Sequence, residues 1–242
     1  MTSGPSVRDN VAWVKERIAA ACAHHGRDPA SVRLVAVTKK IPLPLVVEGC
    51  RCGLRDLGEN RIPDALDRIP ALPPLLAAAG LDPDLVRWHF IGHLQRNKAA
   101  KASGRFALLH GVDSLDLAER LGRRAHAEGR SERILLEVNI SGEGQKNGFA
   151  PGIALETVAA AAGIPGLEIL GLMGMARYDA PEPELHASFA LLRGLAEKAR
   201  SATGLPLPEL SMGMSGDFEA AIAEGATLVR IGTALFGPRT SG

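Results

Sequence analysis

The strongest constraint on the fold of this chain is a regular alternation of two kinds of segment. Eight short runs of apolar and β-branched residues recur along the 242 residues, and segments of helical periodicity lie between them. Strands that alternate with helices predict parallel βαβ units. The eight runs are RLVAVT (33–38), RDLGEN (55–60), RWHFIG (87–92), FALLHGV (106–112), ILLEVNI (134–140), LEILGLM (167–173), PELSMG (208–213) and ATLVRIG (226–232).

Eight such units in a chain of this length predict an α/β fold, a closed (β/α)8 TIM barrel, which takes about 250 residues. An amphipathic helix at 7–26 precedes the first strand. A doubly wound open sheet is the main alternative, but its first strand normally leads into a glycine-rich phosphate loop. Here the first strand ends in TKKIP. We therefore expect one barrel domain over residues 1–242, with an extra N-terminal helix.

One segment departs from the alternation. Residues 68–84 read RIPALPPLLAAAGLDPD and are rich in Pro, Ala and Leu. Pro73 and Pro74 lack a backbone N–H, so they interrupt a continuous helix. We predict a loop with a short helical piece here, and no domain boundary.

Charge and cysteine content narrow the partners and the compartment. The 28 basic and 27 acidic side chains give a formal net charge of +1, which gives no support for a nucleic-acid or anionic-membrane partner. The N-terminus lacks the apolar core of a signal peptide, and no stretch approaches the roughly 20 apolar residues that span a bilayer. Cys22, Cys50 and Cys52 show no zinc-type spacing. We expect a cytoplasmic protein with reduced thiols, and a monomer because no long apolar stripe is evident.

The functional residues of such barrels lie at the C-terminal ends of the strands. The residues at those ends include no carboxylate pair suited to glycoside hydrolysis and no His, Asp and Glu cluster typical of a metal site. They do include amine, guanidinium, hydroxyl and glycine groups. The set is Lys39, Lys40, Glu59, Asn60, His89, Asn139, Met173, Ser215, Arg230, Gly232 and Thr233.

Two turns late in the chain predict a phosphate site. Gly232 and Thr233 follow the eighth strand and open a short helix, whose free backbone N–H groups attract anions. Ser215 follows the seventh strand, and barrels often bind phosphate in the loops after these two strands. Taken singly, Ser215 is more often a helix cap and Gly232 only a turn. Their occurrence after adjacent strands favours the phosphate site.

The paired lysines after the first strand differ in the direction that they face. Strand side chains alternate, so Val35, Val37 and Lys39 share one face and Lys40 lies on the other. Barrel interiors favour branched residues, which assigns Lys39 to the inside. A desolvated lysine loses proton affinity and forms Schiff bases with carbonyl compounds. An inward lysine and a phosphate site in one barrel mouth suggest pyridoxal phosphate or, in a class I aldolase, a sugar phosphate.

Seven ordered motifs then identify a family. The chain resembles the pyridoxal phosphate homeostasis proteins, also called the YggS/PROSC family, over residues 8–239. The resemblance implies a barrel similar to the N-terminal domain of alanine racemase, the type III fold of proteins that bind pyridoxal phosphate (PLP). It also implies a role in controlling free PLP, with apo-enzymes as transient recipients and no established catalysis. The motifs are LVAVTKK, LGEN, WHFIGHLQRNK, VNISGEGQKNGF, GLMGM, LSMGMSGDFEAAI and VRIGTALFG.

The resemblance also implies a role for individual residues. Lys39 matches the lysine that forms the internal aldimine with PLP, and Lys40 beside it is either a bystander or helps to hold the aldehyde. The phosphate-binding positions match Ser215, Gly232 and Thr233.

The remaining matches surround the cofactor ring. Arg230 matches the arginine that faces the pyridine nitrogen, where its charge disfavours protonation of the ring and weakens it as an electron sink. Asn60 matches a residue near the imine. His89 and Met173 match positions at the pocket wall.

Two enzymatic alternatives stay open beside a carrier without turnover. A racemase needs a second base opposite the lysine. The chain ends soon after the eighth strand, which leaves no room for the second domain that supplies this base in alanine racemases, and Tyr178 is expected to be only a loop aromatic. An aldolase needs an inward acid near Lys39, yet only one of Glu59 and Asn60 can face the pocket. We expect a carrier.

Overall fold

The expected barrel is confirmed. The structure is a computed structural model that describes residues 5–237, so the outermost residues of the expected 1–242 domain lie outside it. Eight parallel strands pair in the order of the sequence, and β8 pairs with β1 to close the barrel. The strands are β1 (Arg33–Val37), β2 (Asp56–Glu59), β3 (Arg87–Phe90), β4 (Leu108–Val112), β5 (Glu132–Glu137), β6 (Leu167–Met173), β7 (Glu209–Ser211) and β8 (Leu228–Ile231).

Helices connect the strands and surround the barrel, as βαβ connectivity requires. The first helix precedes β1, as expected, and begins with a capping box between Ser6 and Asp9. A short helix follows β8. The helices are α1 (Val7–His24), α2 (Leu43–Arg51), α3 (Ile62–Ala78), α4 (Ala99–Ala102), α5 (Leu115–Ala127), α6 (Ala154–Ala162), α7 (Glu182–Thr203), α8 (Phe218–Ala223) and α9 (Thr233–Phe236).

Two apolar clusters hold the barrel strands and the surrounding helices together. The larger one lies between the strands and the helices and includes Ala36, Leu57 and Phe189. A smaller one fills part of the barrel interior and contains Val35 and Met173. Burial of each large aliphatic side chain contributes roughly 1.5–3 kcal/mol. The opposite directions of Val35 and Ala36 show that β1 alternates as the sequence predicts.

The predicted loop at 68–84 is wrong for residues 68–78, whereas residues 79–84 do lie outside α3. Helix α3 runs without a break from Ile62 to Ala78 and contains Pro70, Pro73 and Pro74. The prolines are exposed or half-buried, while Leu72 and Leu76 on the other side of the helix are fully buried. Packing of this apolar face against the barrel therefore outweighs the missing backbone hydrogen bonds.

Within residues 5–237, no helix combines the length and the apolar character that crossing a membrane requires.

Candidate functional site

A cavity of about 790 Å³ opens at the C-terminal ends of the strands, the end of a barrel where functional residues lie. Its lining combines charged, hydroxyl and apolar side chains from several loops. Eight residues were matched to cofactor-binding positions from the sequence, and seven of them line this cavity: Lys39, Asn60, Met173, Ser215, Arg230, Gly232 and Thr233.

The structure does not bring His89 to this cavity. Its side chain is 1% exposed, and its Nε2 lies 2.9 Å from Asp56 Oδ1. Because β3 continues to Phe90, His89 lies deeper in the barrel than the residues that follow the strand. Gly92 and His93 line the cavity at this point instead. The predicted position of His89 at the pocket wall is corrected accordingly.

The turn after β1 separates the two lysines. Lys39 lines the cavity, whereas Lys40 is exposed and has a left-handed backbone with φ of 60°. Thr38 before them is fully buried, and its hydroxyl donates a hydrogen bond of 2.6 Å to Glu59 Oε1. The turn that carries Lys39 is thus fixed to the end of β2.

Glu59 and Asn60 face opposite ways, as the alternation requires. Asn60 lines the cavity, while Glu59 is fully buried and forms an ion pair with Arg68 on α3, with 2.9 Å between Glu59 Oε1 and Arg68 Nε. Burial raises the pKa of Glu59, although Thr38 and Arg68 act in the opposite direction. Glu59 therefore anchors the turn and α3 and does not act in the cavity.

Arg230 lies at the inner end of the cavity and is 4% exposed. Its NH1 donates a hydrogen bond of 2.6 Å to Ser211 Oγ, and its NH2 donates one of 3.2 Å to the Gly174 carbonyl. Burial lowers the pKa of Arg230 to about 10, and the charges of Glu137 and Asp217 oppose this shift. The guanidinium remains a cation at neutral pH.

The N-terminal end of α9 presents backbone N–H groups to the cavity. The amides of Gly232 and Ala234 both donate to Ser215 Oγ, at 3.4 and 3.5 Å. These distances exceed the usual 2.9–3.0 Å, so the bonds are weak. Ser215 does not cap the next helix, because α8 begins at Phe218 after Asp217. Its hydroxyl serves the α9 turn instead.

Glu137 is the functional residue that the sequence reasoning missed. It ends β5, is 3% exposed and lines the same cavity as Lys39. Burial, followed by the charge of Asp113, raises the pKa of its carboxyl to about 7, against the opposing charges of Arg230 and His93. The sequence reasoning considered only Glu59 as an inward acid near Lys39, and the structure places Glu137 in the cavity instead. An acidic residue within an otherwise apolar run, ILLEV, was the available signal.

The outer rim of the cavity comes from the loop after β6. Arg177, Tyr178 and Asp179 line it, and Tyr178 is 80% exposed. Arg177 donates two hydrogen bonds to Glu184, of 2.8 and 2.7 Å. The rim is therefore open to solvent. In the part of the chain that the structure describes, no group of three or more His, Cys, Asp or Glu side chains could hold a metal ion.

We expect Glu137→Gln to change how stability depends on pH. The pKa of Glu137 is higher in the folded protein than the ordinary 4.5. The contribution of its protonated carboxyl to the free energy of unfolding is therefore fully present below pH 4.5 and is lost as the pH rises to about 7. The loss amounts to about 3 kcal/mol at pH 8. The free energy of unfolding of the variant, relative to the unmodified protein, should therefore increase between pH 5 and pH 8. Urea denaturation at both pH values measures this, and an equal difference at both would contradict it.

Comparison with protein families and curated proteins gives consistent matches. Residues 7–240 match the family model described as alanine racemase, N-terminal domain. The pyridoxal phosphate homeostasis protein of Pseudomonas aeruginosa is 42% identical over 237 residues, which cover 98% of this chain and 97% of that protein. The protein of the same name from Aquifex aeolicus is 38% identical over 231 residues, covering 96% and 97%.

Solved structures agree with these sequence matches. PipY of Synechococcus elongatus, solved with PLP bound, superposes with a TM-score of 0.77 at 36% identity and covers 93% of this chain and 100% of that chain. Alanine racemase of Clostridium difficile superposes with a TM-score of 0.72 at 12% identity, covering 96% of this chain and 58% of that chain. At that identity the second likeness concerns the fold alone.

Proposed function

We propose that this chain, which belongs to the family of pyridoxal phosphate homeostasis proteins, binds PLP reversibly and controls the supply of the free cofactor. The proposal rests chiefly on one observation, that Lys39 and the α9 turn open onto the same cavity. PipY, which has the same barrel, was solved with PLP bound.

The residues of the cavity fit the chemistry of PLP. When bound, PLP supplies an aldehyde that reacts reversibly with a primary amine, together with an anionic phosphate. Lys39 is the residue that we assign to the aldehyde. The weakly bonded amides of Gly232 and Ala234, with the hydroxyls of Ser215 and Thr233, are assigned to the phosphate. A phosphate oxygen is a stronger acceptor than the Ser215 hydroxyl that these amides now share.

The ring-facing assignments rest on the same cavity. Arg230 is placed against the pyridine nitrogen, where its charge disfavours a proton on the ring. Asn60 lies beside the turn of Lys39, and Met173 contributes an apolar surface from the end of β6. A ring that stays unprotonated withdraws electrons weakly, which suits storage of the cofactor better than carbanion chemistry.

We infer that the protein acts as a carrier and not as an enzyme. The solvent-open rim around Tyr178 favours exchange of the cofactor and gives poor protection to a carbanion. Racemisation of an amino acid is the second candidate, because Glu137 supplies an acid–base group in the cavity of Lys39. Exchange of the Cα proton of an amino acid in D₂O, followed by NMR, separates the two. Exchange that needs Glu137 would favour the racemase.

The test of the carrier function compares two rates. We expect bound PLP to reach an apo-enzyme faster than it is released into buffer, because direct transfer avoids the free aldehyde. Activity of the recipient enzyme measures transfer, and loss of the absorption of the bound cofactor into a scavenging amine measures release. Transfer no faster than release would leave simple buffering of PLP and would contradict directed delivery.

We place this function in a monomer in the reducing cytoplasm, with transient apo-enzyme partners. Cys22, Cys50 and Cys52 are free thiols, and Cys22 and Cys50 are buried. Free buried thiols are typical of a reducing compartment.

A further inference from the structure

A chain of hydrogen bonds crosses the interior of the barrel and ends at Arg230. Arg230 NH1 donates to Ser211 Oγ at 2.6 Å, and Ser211 Oγ lies 2.8 Å from His110 Nδ1. His110 Nε2 lies 2.9 Å from His89 Nδ1, and His89 Nε2 lies 2.9 Å from Asp56 Oδ1. The five residues belong to β8, β7, β4, β3 and β2, and each is at most 5% exposed. Polar residues thus occupy a layer that bulky apolar side chains usually fill.

The far end of this chain is a carboxylate that can only accept hydrogen bonds. Arg87 binds Asp56 through two hydrogen bonds, of 2.8 and 2.7 Å, and is itself half exposed. Burial raises the pKa of Asp56, but the hydrogen bonds from Arg87 and His89 outweigh it and hold the pKa well below its usual range. Asp56 is therefore ionised at neutral pH.

The His110 imidazole, in the middle of the hydrogen-bond chain, is neutral. Burial first, and then the nearby basic groups His89, Arg230 and Arg33, hold the pKa of His110 well below its ordinary value. A neutral imidazole has one donor nitrogen and one acceptor nitrogen.

For two imidazoles that carry one proton each, the direction of every hydrogen bond follows from Asp56. His89 donates from Nε2 to Asp56, so its Nδ1 accepts. His110 then donates from Nε2 to His89, and its own Nδ1 accepts the proton of the Ser211 hydroxyl. The lone pairs of Ser211 are thereby directed to Arg230.

We propose that Ser211, His110, His89 and Asp56 form a relay of positioning residues that holds the Arg230 guanidinium in place at the inner end of the cavity. The relay connects the cavity to the opposite end of the barrel, where Arg87 meets solvent. It gives His89 and His110 a role that does not require contact with a ligand. The effect of the relay on a bound cofactor rests on the proposed function, whereas its hydrogen-bond direction does not.

The first arm of the test uses the ligand-free protein. Long-range ¹H–¹⁵N NMR of imidazoles distinguishes the tautomers, and His89→Phe and His110→Phe assign the signals among the seven histidines. We expect both residues as Nε2–H tautomers. In Asp56→Asn the amide can also donate to His89, so His110 should acquire a measurable Nδ1–H population. A protonated or Nδ1–H His110 in the unmodified protein, or unchanged tautomers in Asp56→Asn, would overturn the relay.

Glu132→Gln is the matched control. Glu132 is a carboxylate at the start of β5 that is 2% exposed and bound by Arg130 NH1 at 2.7 Å, and the relay does not include it. Its substitution should leave the tautomers of His89 and His110 unchanged.

The second arm measures PLP affinity by the absorption of the bound cofactor. Ser211→Ala removes the acceptor of Arg230 NH1 and should weaken binding roughly tenfold. Asp56→Asn should weaken it in the same direction, and Glu132→Gln should not. Equal affinities in all variants, or equal weakening in Glu132→Gln, would overturn the positioning role. If the unmodified protein does not bind PLP, the proposed function fails, while the NMR arm still decides the relay.

Discussion

Lys39→Ala should lose the covalent adduct with PLP completely. Because Lys39 lines the cavity with the α9 turn, its amine is the one that we expect to react with the aldehyde. The unmodified protein should be yellow, and borohydride should fix the cofactor to Lys39 irreversibly. Mass spectrometry of the digested protein locates the adduct, and in Lys39→Ala no adduct should form.

Lys40→Asn is the matched control for this experiment. It removes the neighbouring amine, and asparagine tolerates the left-handed backbone that Lys40 adopts. The adduct on Lys39 should persist at the level of the unmodified protein. An adduct mapped to Lys40 would overturn the assignment. A colourless protein that traps an imine only with a sugar phosphate would instead support an aldolase.

Gly171→Ala should destabilise the barrel by more than about 4 kcal/mol. A Cβ atom at Gly171 would lie 1.8 Å from the backbone oxygen of Glu209, its partner on β7. β7 is only three residues long, so a displaced Glu209 disturbs much of the pairing with β6. Urea denaturation measures the loss, and a decrease below about 1 kcal/mol would show that β7 can move away.

A glycine-to-alanine substitution at a second position should change the free energy of unfolding in the opposite direction. Gly194 lies inside α7, where an added Cβ would meet no atom within 4 Å. Alanine stabilises a helix interior by about 1 kcal/mol relative to glycine. Gly194→Ala should therefore raise the free energy of unfolding, whereas at Gly171 both the contact with Glu209 and the backbone φ of 156° oppose a side chain.

The barrel and the inward lysine were predictable because they depend on local periodicity. Alternation along β1 is enough to separate Lys39 from Lys40, and the glycine turn after β8 is visible in the sequence around Gly232. Both signals come from a few consecutive residues.

The features that the sequence did not reveal depend on contacts between distant segments. Helix α3 forms in spite of Pro73 and Pro74 because its apolar face packs on the barrel. The depth of His89 and the hydrogen bond between Ser211 and His110 depend on how far each strand is staggered against its neighbours. Strand register of this kind is set by the closure of the whole sheet.

The prolines of α3 also bear on the order of folding. Each internal proline disfavours a helix by about 3 kcal/mol relative to alanine, and α3 contains Pro70, Pro73 and Pro74. Before the barrel exists, this segment has little tendency to be helical. We therefore expect its helix to condense only once its neighbours β2 and α2 offer a surface, as a late step of folding.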